Sequence, residues 1–301
     1  MISHLKLWLV CQRLNLPFDI WVPTRAVLFS RKKKKRQSIA AAPDLRSQLP
    51  DASAEFLEII RAVQPYTMTS PERVLALCNA VDYITQNQIA GSIVECGVWR
   101  GGSMAAVART LGGMNRSDRE LWLYDTFDGM SEPSDQDVDL RGEMASHLME
   151  VEDRQNAESV WCRSPLDEVR SVMEQTGYPR NQIHYVVGKV EETLVERRPE
   201  KIAILRLDTD WYESTRVELE VLFPLMSPGG ILIIDDYGHW KGCRRAVDEY
   251  FAEHQIAMML NRIDYTGRIG VYCPIAGGKT GMQPAGKTAN QGFGLEAVDG
   301  V

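Results

Sequence analysis

Three aspartates mark where this sequence could do chemistry. Asp208 closes the apolar run in KIAILRLDTD, and Asp235 and Asp236 close another in GGILIIDDYGHW. If the two runs are neighbouring strands, three carboxylates meet at one spot. Carboxylates gathered that closely raise one another's proton affinity unless a cation sits among them. All-oxygen ligands suit a hard ion such as Mg²⁺, which keeps waters for a substrate to displace. The other way to hold the acids is to pair them with Arg206, Lys241 or Arg244. A second group lies in VECGVWRGGS, residues 94–103. Gly97, Gly101 and Gly102 let backbone approach a ligand between a strand and a helix N-terminus. The spacing is not the dinucleotide G-x-G-x-x-G. Glu95, two residues before the first glycine, suits an ammonium group better than a pyrophosphate. Asp125 lies 23 residues after Gly102 at the end of the next apolar run, where an acid can bind both ribose hydroxyls. His239 and His184 are alternative bases, although a lone histidine near a rim is more often structural.

These residues need strands that end at a common rim. Short β-rich runs cover 91–98, 121–127, 183–190, 201–210 and 229–237. Helical patterns lie between or after them at 103–111, 164–177, 212–226 and 243–254, with a short one from Glu191. Strands alternating with helices predict a parallel sheet covered on both faces. Runs 257–265 and 268–273, turned at Thr266-Gly267, add an antiparallel pair at one edge. Each central run ends in a polar or small residue: Gly97, Asp125, Gly188, Asp208, Asp235. Ligands of such sheets bind beyond the carboxyl ends of the strands, so all five converge there.

The chain of 301 residues has ordinary globular composition, with 44% apolar and 25% charged residues. Its net charge of −7 is uneven. Residues 1–40 hold nine Lys/Arg and one acid, including RKKKKR at 31–36, and the remainder is net acidic. An acidic body is a poor nucleic-acid surface. Six scattered cysteines without a C-x-x-C fit a reducing cytoplasm. Residues 1–50 read as a basic, apolar leader. It is either a loosely ordered arm or a peripheral membrane contact with Trp8, Phe18 and Trp21 in the interface; a nucleic-acid arm is the weakest reading. Residues 51–274 form the domain, and 275–301, with seven glycines, read as a flexible tail.

VECGVWRGGS, YDTFDGM, YTMTSPERVLAL (66–77) and LRLDTDWYESTRVELEVLFPLMSPGGILIIDDY together resemble the TylF/MycF family of macrocin-type sugar O-methyltransferases. The resemblance spans about residues 60–272. It implies a class I methyltransferase fold, a Rossmann-like three-layer sandwich, that uses S-adenosylmethionine and Mg²⁺. Glu95 and Gly97 then lie by the methionine end of the cofactor, Gly101 and Ser103 complete that turn, and Asp125 meets the ribose. Gly188, Lys189 and Val190 lie near the adenine. Asp208, Asp235 and Asp236 match the metal ligands, with Asp208 also the catalytic base. Tyr66, Thr67, Met68 and Glu72 match a helical lid that closes over cofactor and sugar.

The resulting expectation is Mg²⁺-dependent methylation of a sugar hydroxyl, in a small molecule or a surface glycan, by an enzyme of a family that tends to form homo-oligomers. The same metal logic serves a catechol-like phenol. Two further classes are a nicotinamide oxidoreductase, which leaves the three aspartates unexplained, and a non-catalytic membrane-associated binding module.

Overall fold

The computed structural model describes residues 44–156 and 159–274. The leader up to residue 43 and the glycine-rich tail lie outside these residues. The helices, in chain order, are α1 (Leu45–Gln48), α2 (Ala54–Val63), α3 (Pro71–Gln86), α4 (Gly102–Gly113), α5 (Ala145–Val151), α6 (Leu166–Glu174), α7 (Val190–Glu196), α8 (Tyr212–Leu222) and α9 (Lys241–Glu253). The strands are β1 (Ser92–Cys96), β2 (Leu121–Asp125), β3 (Ile183–Val187), β4 (Ile202–Leu207), β5 (Met226–Ile234), β6 (Asn261–Arg262) and β7 (Arg268–Val271).

The strands make one sheet in the order β3-β2-β1-β4-β5-β7-β6. The first five are parallel, and β7 runs antiparallel to β5 and to β6. The expected parallel sheet and its antiparallel edge are both present. Order reverses at β1, which β2 and β4 flank, so a crevice opens beyond the ends of β1 and β4.

Period-two alternation sends each central strand's apolar residues to two cores. Ile93, Leu123, Ile204 and Ile233 pack with buried residues of α2, α3, α4 and α6. Val94, Tyr124, Leu205 and Ile234 pack with those of α5, α7, α8 and α9. This is a three-layer sandwich. Leu49 is buried in the first core, so that core already draws on chain before residue 50. The lid leads into α3, which starts cleanly. The Ser70 hydroxyl accepts from the Arg73 amide at 3.2 Å, and Pro71 takes the first helical position. α5 was not expected: its seven residues lie in a polar stretch and bury only Ala145, Leu148 and Met149.

Candidate active site

Strand register sets the site. Cys96 pairs with Tyr124 and with Leu207, and Leu207 pairs with Ile234. The next residue of each strand, Gly97, Asp125, Asp208 and Asp235, therefore falls on one level. Each ladder continues for that one residue: the amides of Gly97, Asp208 and Asp235 donate to Tyr124, Cys96 and Leu207 carbonyls at 2.9 Å each. Gly97 has φ +83°, and a Cβ there would overlap the Asp208 carbonyl oxygen. Glycine is required because β1 and β4 approach so closely at the crevice.

Alternation then separates the acidic pair. Ile233 belongs to the first core and Ile234 to the second, so Asp235 follows the first face and Asp236 the other. On the first face, Glu95 and Arg206 are register partners. Arg206 Nη1 donates to Glu95 Oε1 at 2.5 Å and to Asp208 Oδ2 at 2.7 Å. Its Nη2 donates to Asp235 Oδ1 at 2.6 Å and to Thr69 Oγ1 at 2.9 Å. The other oxygen of Asp235 accepts from Arg73 Nη1, and Arg73 Nε lies 3.0 Å from Asp264 Oδ2. Both arginines are buried, which opposes their charge, but the surrounding carboxylates outweigh burial and hold both above the usual guanidinium range.

Beyond the strand ends, carboxylate oxygens of Asp208, Asp210 and Asp236 come within 4.8 Å of one another. Burial, then mutual repulsion, raises all three: Asp210 to about 7, Asp208 and Asp236 well above the carboxylate range. Arg206 opposes the shift at Asp208, and Arg73 opposes it at Asp236. Asp210 stands at φ +70°, a left-handed conformation that costs a non-glycine residue about 1–3 kcal/mol and clusters at functional sites. Trp99 at +47° and Cys162 at +44° line the same cavity.

The donor set fits a hard cation. Three carboxylates converge, and among the described residues only Asp208 forms an ion pair with an arginine. It also fits an ammonium group: Glu95 is 1% exposed, its Oε2 has no hydrogen-bond partner among the described residues, and burial, offset by Arg206, lifts it to about 7.

One cavity gathers most of the expected residues. Thr67, Met68, Gly97, Ser103, Asp125, Gly188, Lys189, Val190, Asp208, Asp235 and Asp236 all line it. Gly101 caps α4 at φ +82°, and Glu95 lies buried beneath the rim. Asp125 accepts from the amides of Val98 and Phe127 at 2.7 Å and of Trp99 at 3.1 Å. Burial raises its pKa while those amides lower it. Tyr66 lines the cavity, and Glu72 does not; its neighbour Arg73 points inward instead. His239 lines it as a neutral ring, since burial lowers it to about 4. His184 does not: it stacks on Trp122 with centroids 4.3 Å apart. Arg244 pairs with Asp248 rather than with the aspartates.

Sequence reasoning missed Arg73 and grouped Asp235 with Asp208 and Asp236, whereas the carboxylates that converge are those of Asp208, Asp210 and Asp236. A buried arginine needs partners, but which acid it meets depends on register and on the α3 dock, and neither shows in local pattern. It also missed Ser159 and Cys162, from a stretch before α6 that carries no motif, and assigned no role to Met130 at the end of YDTFDGM.

The sequence profile of the macrocin-O-methyltransferase (TylF) family matches residues 17–272. The chain is 34% identical over 218 residues to 8-demethyl-8-(2,3-dimethoxy-alpha-L-rhamnosyl)-tetracenomycin-C 4'-O-methyltransferase of Streptomyces olivaceus, covering 72% of this chain and 80% of that protein. It is 32% identical to mycinamicin III 3''-O-methyltransferase of Micromonospora griseorubida, covering 69% and 77%. Among solved structures, the O-methyltransferase NovP superposes with a TM-score of 0.61 at 30% identity, over 69% of this chain and 83% of that one. The calicheamicin methyltransferase CalS11, at 17% identity, TM-score 0.53 and coverage of 82% and 99%, shares the fold. With the crevice, its glycine turn and its acidic rim in place, this agreement over most of the length makes the chain an O-methyltransferase belonging to the macrocin-O-methyltransferase (TylF) family.

Proposed function

We infer that the protein transfers the methyl group of S-adenosylmethionine to a sugar hydroxyl of a glycosylated secondary metabolite, assisted by Mg²⁺. The observation that carries this reading is the cavity lined by the Asp208–Asp210–Asp236 cluster, with the buried, half-free Glu95 beneath its rim. The named substrates of the related enzymes are glycosylated natural products, which supports the acceptor class.

S-adenosylmethionine supplies an electrophilic methyl, and a cation among the aspartates supplies positive charge that makes a nearby hydroxyl more acidic. Glu95 holds the cofactor's ammonium through its free Oε2. Asp125 holds the ribose, and Gly188, Lys189 and Val190 flank the base. Asp208 and Asp236 hold the cation. Asp210 takes the acceptor's proton. It is better suited than Asp208, expected from the sequence, because Asp208 gives one oxygen to Arg206. Asp235, also expected as a ligand, has both oxygens on arginines and keeps those arginines in place. Thr67 and Met68 close the cavity from the lid side and exclude water, so reaction geometry is fixed by binding.

Calorimetric titration tests the reading. S-adenosylmethionine should bind wild type and bind E95Q much more weakly, and Mg²⁺ should bind wild type and not D208N/D236N. No cofactor binding by folded protein overturns it. The basic leader keeps both of its readings, a loosely ordered arm or a peripheral contact with anionic lipid, and vesicle co-sedimentation with and without residues 1–40 separates them. Homo-oligomer formation is checked by light scattering.

A further inference from the structure

Arg206 stands between the two ends of the site and touches neither ligand. A guanidinium carries four Nη hydrogens, and here all four are committed. Nη1 divides its pair between Glu95 and Asp208, and Nη2 divides its pair between Asp235 and Thr69 of the lid. The side chain is 4% exposed, so water is not at hand to take over any of these bonds. The arginine therefore serves, through one nitrogen, the acid assigned to the cofactor's ammonium and an acid assigned to the cation.

The geometry assigns Arg206 as a positioning residue that couples cofactor binding to cation binding. The coupling is antagonistic, and it rests on the cofactor and cation reading given above. A positive group arriving at Glu95 competes with Nη1 for that carboxylate. The guanidinium then leans on Asp208, which leaves less negative charge for a cation. A cation arriving at Asp208 does the reverse. The effect must be equal in both directions, because linkage between two binding equilibria is reciprocal. Lysine cannot replace the arginine here. Its ammonium is a single donor centre and cannot reach four acceptors spread across β1, β4, β5 and the lid.

The test uses the cofactor-free full chain and Mg²⁺ alone, titrated calorimetrically into wild type, E95Q, R206K and E95Q/R206K. Removing the Glu95 charge releases Nη1 to Asp208. E95Q is therefore expected to weaken Mg²⁺ binding by about fivefold or more in the wild-type background, the lower end of ordinary site-to-site coupling. In the R206K background the same change should move Mg²⁺ affinity by less than about twofold, since the shared donor is gone. Equal weakening in both backgrounds would mean that Glu95 acts on the cation through space, and would overturn the inference. So would an Mg²⁺ affinity unchanged in E95Q, which keeps the test decisive if R206K does not fold. Failure of wild type to bind Mg²⁺ at all overturns the cation reading and the coupling together. Mg²⁺ binding that ignores Glu95 overturns the coupling alone.

Discussion

At the scale of single residues, the site contains more acids than its cations can serve. Arg73 and Arg206 between them meet Glu95, Asp208, Asp235 and Asp264, while among the described residues no arginine pairs with Asp210. Replacing Asp210 by Asn should lower kcat by about 10²–10⁴-fold, the range for a lost general base. S-adenosylmethionine affinity by calorimetry should stay within about twofold. Glu95 gives a pH dependence. Burial first, then Asp235 and Asp125, raise it from 4.5 to about 7 against the pull of Arg206. Between those two values the folded cofactor-free protein holds a proton that the unfolded chain has lost. Its contribution to stability is thus present below 4.5 and lost as pH rises through 7. Cofactor binding runs the other way, because an ammonium needs the ionised form. Affinity for S-adenosylmethionine should rise from pH 6 to pH 8. The rise should be absent in E95Q, provided a residual affinity can be measured.

At the scale of elements, the glycine turn and the lid are one joint. A Cβ at Gly102 would overlap the Tyr66 carbonyl oxygen, whereas one at Gly112, ten residues along the same helix, meets nothing within 4 Å. G102A should push the lid from its seat and weaken cofactor binding about tenfold or more, since about 1.4 kcal/mol of misfit suffices. G112A should instead stabilise the fold by about 0.5–1 kcal/mol in chemical denaturation, through helix propensity. Much of this scale was legible in sequence. Strands β1 to β5 were visible as short apolar runs, and their polar ends gave the rim. The antiparallel edge followed from two runs and one tight turn. What the sequence concealed was α5, too short and polar for a periodic signal, and the division of Asp235 from Asp236. That division follows from the pleat only once it is known which face each core occupies. Arg73 was hidden for a related reason. Its partners Asp235 and Asp264 lie far along the chain, and only the docking of α3 against β4 and β5 brings them together.

At the scale of the whole molecule, the buried arginines separate folding from ion binding. They already neutralise Asp235 and share Asp208, so the acidic rim is held without a metal. Scanning calorimetry in excess chelator should therefore give a Tm within about 2 °C of the untreated protein, which is about the shift that 1 kcal/mol produces in a chain this size. Methyl transfer should fall in the same buffer. Asp235→Ala should do the opposite of chelation. It removes the one acid that both buried guanidinium groups share and should destabilise the fold by about 3–5 kcal/mol, the usual result of removing one partner from a buried pair.

The alternation that turns Asp235 and Asp236 to opposite faces has a consequence for heredity. In an exhaustive substitution library, two consecutive codons would be filtered by different sieves. Variants at position 235 would be depleted from the soluble fraction whether or not acceptor was supplied. Those at position 236 would persist there, and drop out only when survival of the host depended on methylated product.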